Sequence, residues 1–371
     1  MKIKFRIKVT FFMSFFAVLL GLVAGAILML ATGSNPVEGF YYLFRGGLMN
    51  IERIGNSIAS ATPLILTGLS VAFAFKTGLF NIGGAGQMLI GGLCATAVGL
   101  SFAWPKPVLL TVIIFASMIG GGLWAALPGL LKSKFNVHEV VSTIMMNWIA
   151  FWTIFFVVPA YFKGPFLETE SQRIPDAASL KVQWLTNLFE GSFINLGILL
   201  AVISVVITAF ILEKTTLGYE LKAVGYNRDA AKAAGINVNR NIILSMVIAG
   251  ALAGLAGATF YVGFASNMQI GVLPSHGFDG IAVALLGANS PWGVLAAAFF
   301  FGLLHTGKGF MSAMTAIPPE IADTMIATII YFAATSVLIE RNWDKLKRLR
   351  AGAILRKAKQ GSPGLRTGGE K

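Results

Sequence analysis

Apolar stretches of about 20 residues follow one another along the whole chain, from 11–30 to 321–339. A helix rises about 1.5 Å per residue, so such a stretch matches the roughly 30 Å hydrocarbon core of a bilayer. Lipid offers no partner for backbone N–H and C=O groups, so a spanning segment must close its hydrogen bonds as a helix or a barrel. The length and continuity of these runs select the helix. Hydrophobic residues make up 56% of the 371 positions and charged residues 12%, about half the charge of a soluble domain. The predicted fold is an all-α, multi-pass integral membrane protein. Its 42 glycines fit close packing of helices in lipid.

Ten spans are expected, at 11–30, 57–75, 78–100, 108–131, 140–161, 193–212, 242–262, a broken crossing over 266–288, 292–310 and 321–339. Lys2, Lys4, Arg6 and Lys8 precede the first span, and the tail 341–371 holds ten Lys and Arg against Asp344 and Glu370. Basic residues collect on the cytoplasmic side, so both termini are expected inside, with no call for nucleic acid as a partner. The first run is too long for a signal h-region and is expected to stay as an uncleaved span. This divides the chain into a basic terminus (1–10), a transmembrane domain (11–340) and a basic tail (341–371). The connections 31–56 and 162–192 are expected as outer loops, the second carrying Glu168, Glu170, Asp176 and Glu190.

The polar interruption 213–241 falls inside by span parity, and Lys214, Lys222, Arg228, Lys232 and Arg240 agree with that side. It is longer than a connection between spans requires. Two short helices are expected in it. The second has Asn227 as N-cap, Asp229 in its first turn, an alanine run, and Gly235 to stop it. A docking surface for a cytoplasmic partner explains this better than a linker does.

Two places read as broken spans. One is the glycine-rich stretch Asn81–Gly92 following Lys76, with six glycines between Gly78 and Gly92 and the amides of Asn81 and Gln87. The other is the short apolar piece 278–288, opened by Asp279 and preceded by polar residues. Irregular backbone at membrane depth lines a cavity or is buried in protein, so both are candidates for the substrate path. Asp279 suits the positive end of a short helix. Lys308 and Asp323 are placed to pair. His305 reads as a packing residue, because no second His or carboxylate lies near it in sequence at a ligand spacing. No ordered series of intramembrane Asp, Glu and His marks a proton-coupled carrier. Cys94 is the lone cysteine, which excludes an internal disulfide and a cysteine metal site. Residues 302–309 (GLLHTGKG) imitate a P-loop but lack the Ser or Thr that holds magnesium, and they lie inside a span. No nucleophile, base and orienting acid are arranged for catalysis.

Three motifs occur in order: Ala74–Gln87 (AFKTGLFNIGGAGQ), Gly218–Ile236 (GYELKAVGYNRDAAKAAGI) and Phe278–Gly287 (FDGIAVALLG). Together they resemble the permease subunits of ABC importers in the branched-chain amino acid and ribose group. The Phe-Asn-Ile-Gly form is similar to the nucleoside permeases that work with basic-membrane-protein-type lipoproteins. The resemblance covers about 57–339. It implies a multi-pass protein of the bacterial plasma membrane that is not itself an enzyme and holds no cofactor. ATP and magnesium are implied on a separate ATP-binding cassette subunit. A second permease, commonly a paralogue, and an extracellular substrate-binding lipoprotein are the other implied partners. The loop resembles the segment that couples to the ATPase, which places Gly218, Glu220, Lys222, Gly225, Asn227, Arg228, Asp229 and Gly235 at that contact. For a nucleoside path the expected residues are Phe80, Asn81, Gln87, Asn147, Trp148 and Asp279, with amides to hydrogen-bond and aromatics to stack. The same machine carrying ribose or another small sugar is the near alternative, and an ion-coupled carrier the distant one.

Overall fold

The computed structural model describes residues 2–165, 168–333 and 335, with side chains from residue 15 onward. The regular secondary structure of the described residues is all helical, apart from isolated β-bridges in the loops. The helices are α1 (Lys2–Ala31), α2 (Pro36–Leu48), α3 (Ile51–Lys76), α4 (Gly84–Ser101), α5 (Lys106–Phe135), α6 (Glu139–Tyr161), α7 (Gln183–Leu188), α8 (Gly197–Lys214), α9 (Thr216–Tyr226), α10 (Arg228–Ala233), α11 (Val238–Ala258), α12 (His276–Leu286) and α13 (Pro291–Met314). Residues 319–333 form a further helix. The α11 helix runs on into a π-helical turn, Thr259–Ala265.

Seven of these helices are long and apolar enough to cross a bilayer: α3, α4, α5, α6, α8, α11 with its π turn, and α13. The protein is therefore an integral membrane protein. Two shorter apolar helices, Phe15–Ala31 and α12, fall below that length. An α12 of 11 residues reaches only about 16 Å. Residues 334–371 include the end of the expected last span and the basic tail, and they lie outside the described residues apart from 335.

The expected outer loop 31–56 is largely helix. Asn35 caps α2 by accepting from Val37 N, with Pro36 opening the helix, and Asn50 caps α3 by accepting from Arg53 N. These are ordinary start signals, and they occur where hydropathy alone reads a connection. The most buried span is α3, whose core residues Leu64, Ile65, Leu66, Leu69 and Phe73 have no exposed surface. Helices α8, α11, α12 and α13 pack against it. Where α5 crosses α11, a Cβ on Gly254 would lie 3.0 Å from the Gly121 Cα, so the two backbones meet with no side chain between them. Such small-residue crossings gain dispersion contacts that lipid cannot supply across a gap.

The connection 162–192 is strapped to the segment after α11. Ser171 N donates to Met268 O (2.8 Å), Ile270 N to Thr169 O (2.9 Å), and Asn267 Nδ2 to Glu170 Oε2 (2.6 Å). Lys181 Nζ donates to Ser266 Oγ at 3.2 Å. Burial, and then the charge of Arg173, lower the Lys181 pKa.

Candidate functional site

The interruption between α8 and α11 folds as two capped helices. Thr215 opens α9, its Oγ1 accepting from Gly218 N at 3.1 Å. Asn227 opens α10, its Oδ1 accepting from Ala230 N at 3.0 Å. Gly235 ends α10 at φ +82, a left-handed turn that glycine adopts without penalty. Val224 and Ala231 bury one face of this pair against Ala74, Leu79, Ile242 and Met246.

The eight loop residues expected at a partner contact divide by direction. Four of them tie the loop to the spans. Gly218 lets α9 lie directly on the backbone of Ile211 and Leu212. Lys222 Nζ donates to Leu212 O at 2.5 Å, and Glu220 Oε2 accepts from Asn241 Nδ2 at 2.8 Å. Gly225 lies on the end of α3. A Cβ there would overlap the Lys76 carbonyl oxygen and come to 3.1 Å from Gly78 N. Asn227, Asp229 and Gly235 are exposed, and Arg228 is half-buried. Beside them stand two aromatic side chains that the sequence reading passed over, Tyr219 (72% exposed) and Tyr226 (87%). Their spacing of seven puts them on one face of α9, and that spacing in a polar segment was the available signal.

Gly225 thus touches the start of the irregular stretch 77–83. Gly78, at φ +71, turns the chain back toward the bundle, and Thr77 Oγ1 donates to Ser245 Oγ of α11 at 2.8 Å. The break is confined to this stretch. From Gly84 to Ser101 the helix is continuous, so the break expected over Asn81–Gly92 lies earlier than the glycines suggest. The later glycines serve packing: Gly91 meets the α11 backbone and Gly92 the Tyr261 ring.

Asn81, Gln87 and Asn147 are buried at the break and bonded to the protein. The Asn81 and Gln87 amides pair reciprocally at 3.0 Å in both directions. Asn81 Oδ1 also accepts from Gly83 N at 3.0 Å, and its Nδ2 lies 3.4 Å from Ser70 Oγ. From α6, Asn147 Oδ1 accepts from Gly86 N at 2.8 Å, and its Nδ2 donates to Ile82 O at 3.0 Å. The amides therefore form a lock that joins α3, the break, α4 and α6. Phe80 packs on Phe75 (ring centroids 5.1 Å). Trp148 is 50% exposed on a different face of α6 from Asn147, in a groove with Met145, Trp152 and Phe156.

Asp279 belongs to a second cluster. It stands in the first turn of α12, its Oδ2 3.4 Å from His305 Nε2 of α13. The His305 ring stacks on His276 (centroids 5.9 Å), and Lys308 Nζ meets Asp323 Oδ1 at 2.7 Å. His305 therefore does have a carboxylate and a second histidine for neighbours, contrary to the sequence expectation, because α12 and α13 fold back on each other. No three His, Cys, Asp or Glu side chains are grouped to hold a metal among the described residues. His138 caps α6, with Glu139 paired to Lys132 at 2.9 Å, and the P-loop imitation is continuous helix within α13.

Residues 53–334 match the family model described as branched-chain amino acid transport system / permease component. The chain is similar to the guanosine ABC transporter permease protein NupP of Bacillus subtilis, 42% identical over 90% of this chain and 95% of that protein. It is similar to the nucleoside ABC transporter permease protein NupB of Lactococcus lactis, 40% identical over 92% and 95%. To the glucose ABC transporter permease protein TsgB13 of Haloferax volcanii it is 30% identical over 95% and 93%. No solved structure matches the chain.

Proposed function

The chain belongs to the branched-chain amino acid transport system permease family, and on that premise we propose that it is the membrane-spanning permease subunit of an ATP-driven ABC importer for nucleosides. Near-full-length similarity to two permeases named for guanosine and nucleosides supports the substrate class. The observation that carries the mechanism is the backbone contact of Gly225 with Lys76 and Gly78. It joins a capped, outward-facing helix pair to the buried break 77–83.

In this reading α9 and α10 receive the ATP-binding cassette subunit, which carries ATP and magnesium, through Tyr219, Tyr226, Arg228 and Asp229. ATPase closure pushes α9 and moves the end of α3 with it. The Asn81, Gln87 and Asn147 lock holds the break closed in the arrangement described. When α4 and α6 part, these amides and Phe80 turn toward the path, where they can bond and stack a nucleoside. Trp148 lies on the side of a second permease, and Asp279 marks the path at α12. Ten crossings follow if α1, α12 with its preceding segment, and the helix 319–333 are counted with the seven long spans. Both termini then face the cytoplasm of a bacterial cell, and an extracellular lipoprotein delivers substrate to the outer strap.

The glucose relative favours one second reading, the same machine for a sugar. Uptake of labelled guanosine in cells with the complete transporter tests both. Unlabelled uridine or inosine should compete and ribose should not, and ATP depletion should abolish uptake. Competition by ribose or glucose alone would transfer the chain to the sugar reading. Purification from mild detergent should bring an ATP-binding subunit and a second permease.

A further inference from the structure

Asp279 and His305 face each other inside the bundle. His305 lies 14 residues beyond Pro291, roughly 21 Å along α13. Ionisable side chains at such depth are costly and mark function more often than packing. Polar atoms buried there ordinarily find partners. Yet Asp279 Oδ2 and His305 Nε2 are both buried, 3.4 Å apart, and neither completes a hydrogen bond among the described residues. A row of rings flanks them. His276 lies parallel to His305 within 20°, Phe260 sits 4.8 Å from His276, and Phe264 stacks on Phe260 at 5.8 Å. Phe260 and Phe264 belong to the π-helical turn Thr259–Ala265, a distortion frequent at functional sites. The neighbouring Ser275 and Phe278 are exposed. At the other end, Gly277 packs on the backbone of Ala85, one turn from the amide lock.

We infer that this cluster is the base-selecting contact of the permease, an inference that rests on the nucleoside reading above. A carboxylate can only accept hydrogen bonds, whereas an imidazole can donate or accept. An accepting carboxylate beside an imidazole donor matches a nucleobase edge that presents ring N–H and amino donors next to a carbonyl, as guanine does. Adenine places an acceptor where guanine has its ring N–H, and it meets the carboxylate with repulsion. The rings of His276 and Phe260 supply the face on which a planar base stacks. Sites built to hydrogen-bond one edge reject the analogue that lacks it far more strongly than apolar pockets do.

The test is the ratio of initial uptake rates of guanosine to adenosine by the complete transporter, with its ATPase and binding protein unchanged. Because it is a ratio, it does not depend on how much complex assembles. Asp279→Asn puts an amide where both carboxylate oxygens accept, and the ratio should fall about tenfold. His305→Leu removes the donor to the base carbonyl and should lower it in the same direction, and it serves as the readout if Asp279→Asn does not assemble. A proportional loss of both nucleosides, leaving the ratio at the wild-type value in either measurable variant, overturns the inference and leaves the pair as a bridge between α12 and α13. If the wild-type transporter moves neither nucleoside, the nucleoside reading itself fails, and that outcome is visible before any substitution is made.

Discussion

Replacing Gly225 by alanine inserts one methyl group between α9 and the end of α3. The new Cβ would overlap the Lys76 carbonyl oxygen and stand 3.0 Å from Lys76 C and 3.1 Å from Gly78 N. All of these are backbone atoms, so no side chain can swing aside and α9 itself must move. Overpacking of this kind costs about 1–3 kcal/mol. Against it, alanine is the better helix former by roughly 1 kcal/mol, and Gly225 lies in the last turn of a helix. The net effect is about 1 kcal/mol against the docked position of α9, close to a fivefold shift in its population. Hydrogen exchange over 216–234 should speed up by about that factor, and ATP-dependent uptake should fall with it, while the amount of permease in the membrane stays constant. Gly309→Ala is the control, since nothing lies within 4 Å of a Cβ there. If Gly225→Ala leaves both exchange and uptake at wild-type levels, the contact does not position the loop. Equal damage from Gly309→Ala would assign the loss to the bundle at large.

The amide lock makes its own prediction. Asn81→Leu leaves the buried Gln87 amide without its reciprocal partner and should lower stability by about 1–3 kcal/mol, read as a lower unfolding temperature in detergent. Adding Gln87→Leu should recover part of that loss, because it removes the stranded Gln87 amide and leaves only the Gly83 N–H without its acceptor; a further drop would mean the pair is not the source. For the second loop helix, Asn227→Ala removes the Oδ1 that accepts from Ala230 N and should cost about 1 kcal/mol of local stability. Faster exchange confined to 228–234 is the expected result, and unchanged exchange would show that α10 stands without its cap.

Local chemistry was legible in the order of residues. The apolar runs announced spans because lipid leaves the backbone no other partner than itself. Asn227, Asp229 and Gly235 announced a capped helix because N-caps and left-handed stops depend on a few neighbouring atoms. Motif order announced the family, since Ala74–Gln87, Gly218–Ile236 and Phe278–Gly287 stand in one line of text. What stayed hidden depends on distance in sequence. Six glycines suggested a break across Asn81–Gly92, but a glycine that packs against α11 and one that turns the chain look alike until the neighbour is present. Gly225 meets Lys76 across 149 positions, and Asn147 meets Ile82 and Gly86 across the turn between α5 and α6. His305 looked solitary because Asp279 and His276 approach it only when α12 folds back on α13. Sequence determined where the long apolar helices and the capped pair α9 and α10 form, and what each can bond. Only the packed bundle decided which buried polar atoms found partners, because satisfaction in a low-dielectric interior depends on ångström geometry between segments that the chain order keeps apart.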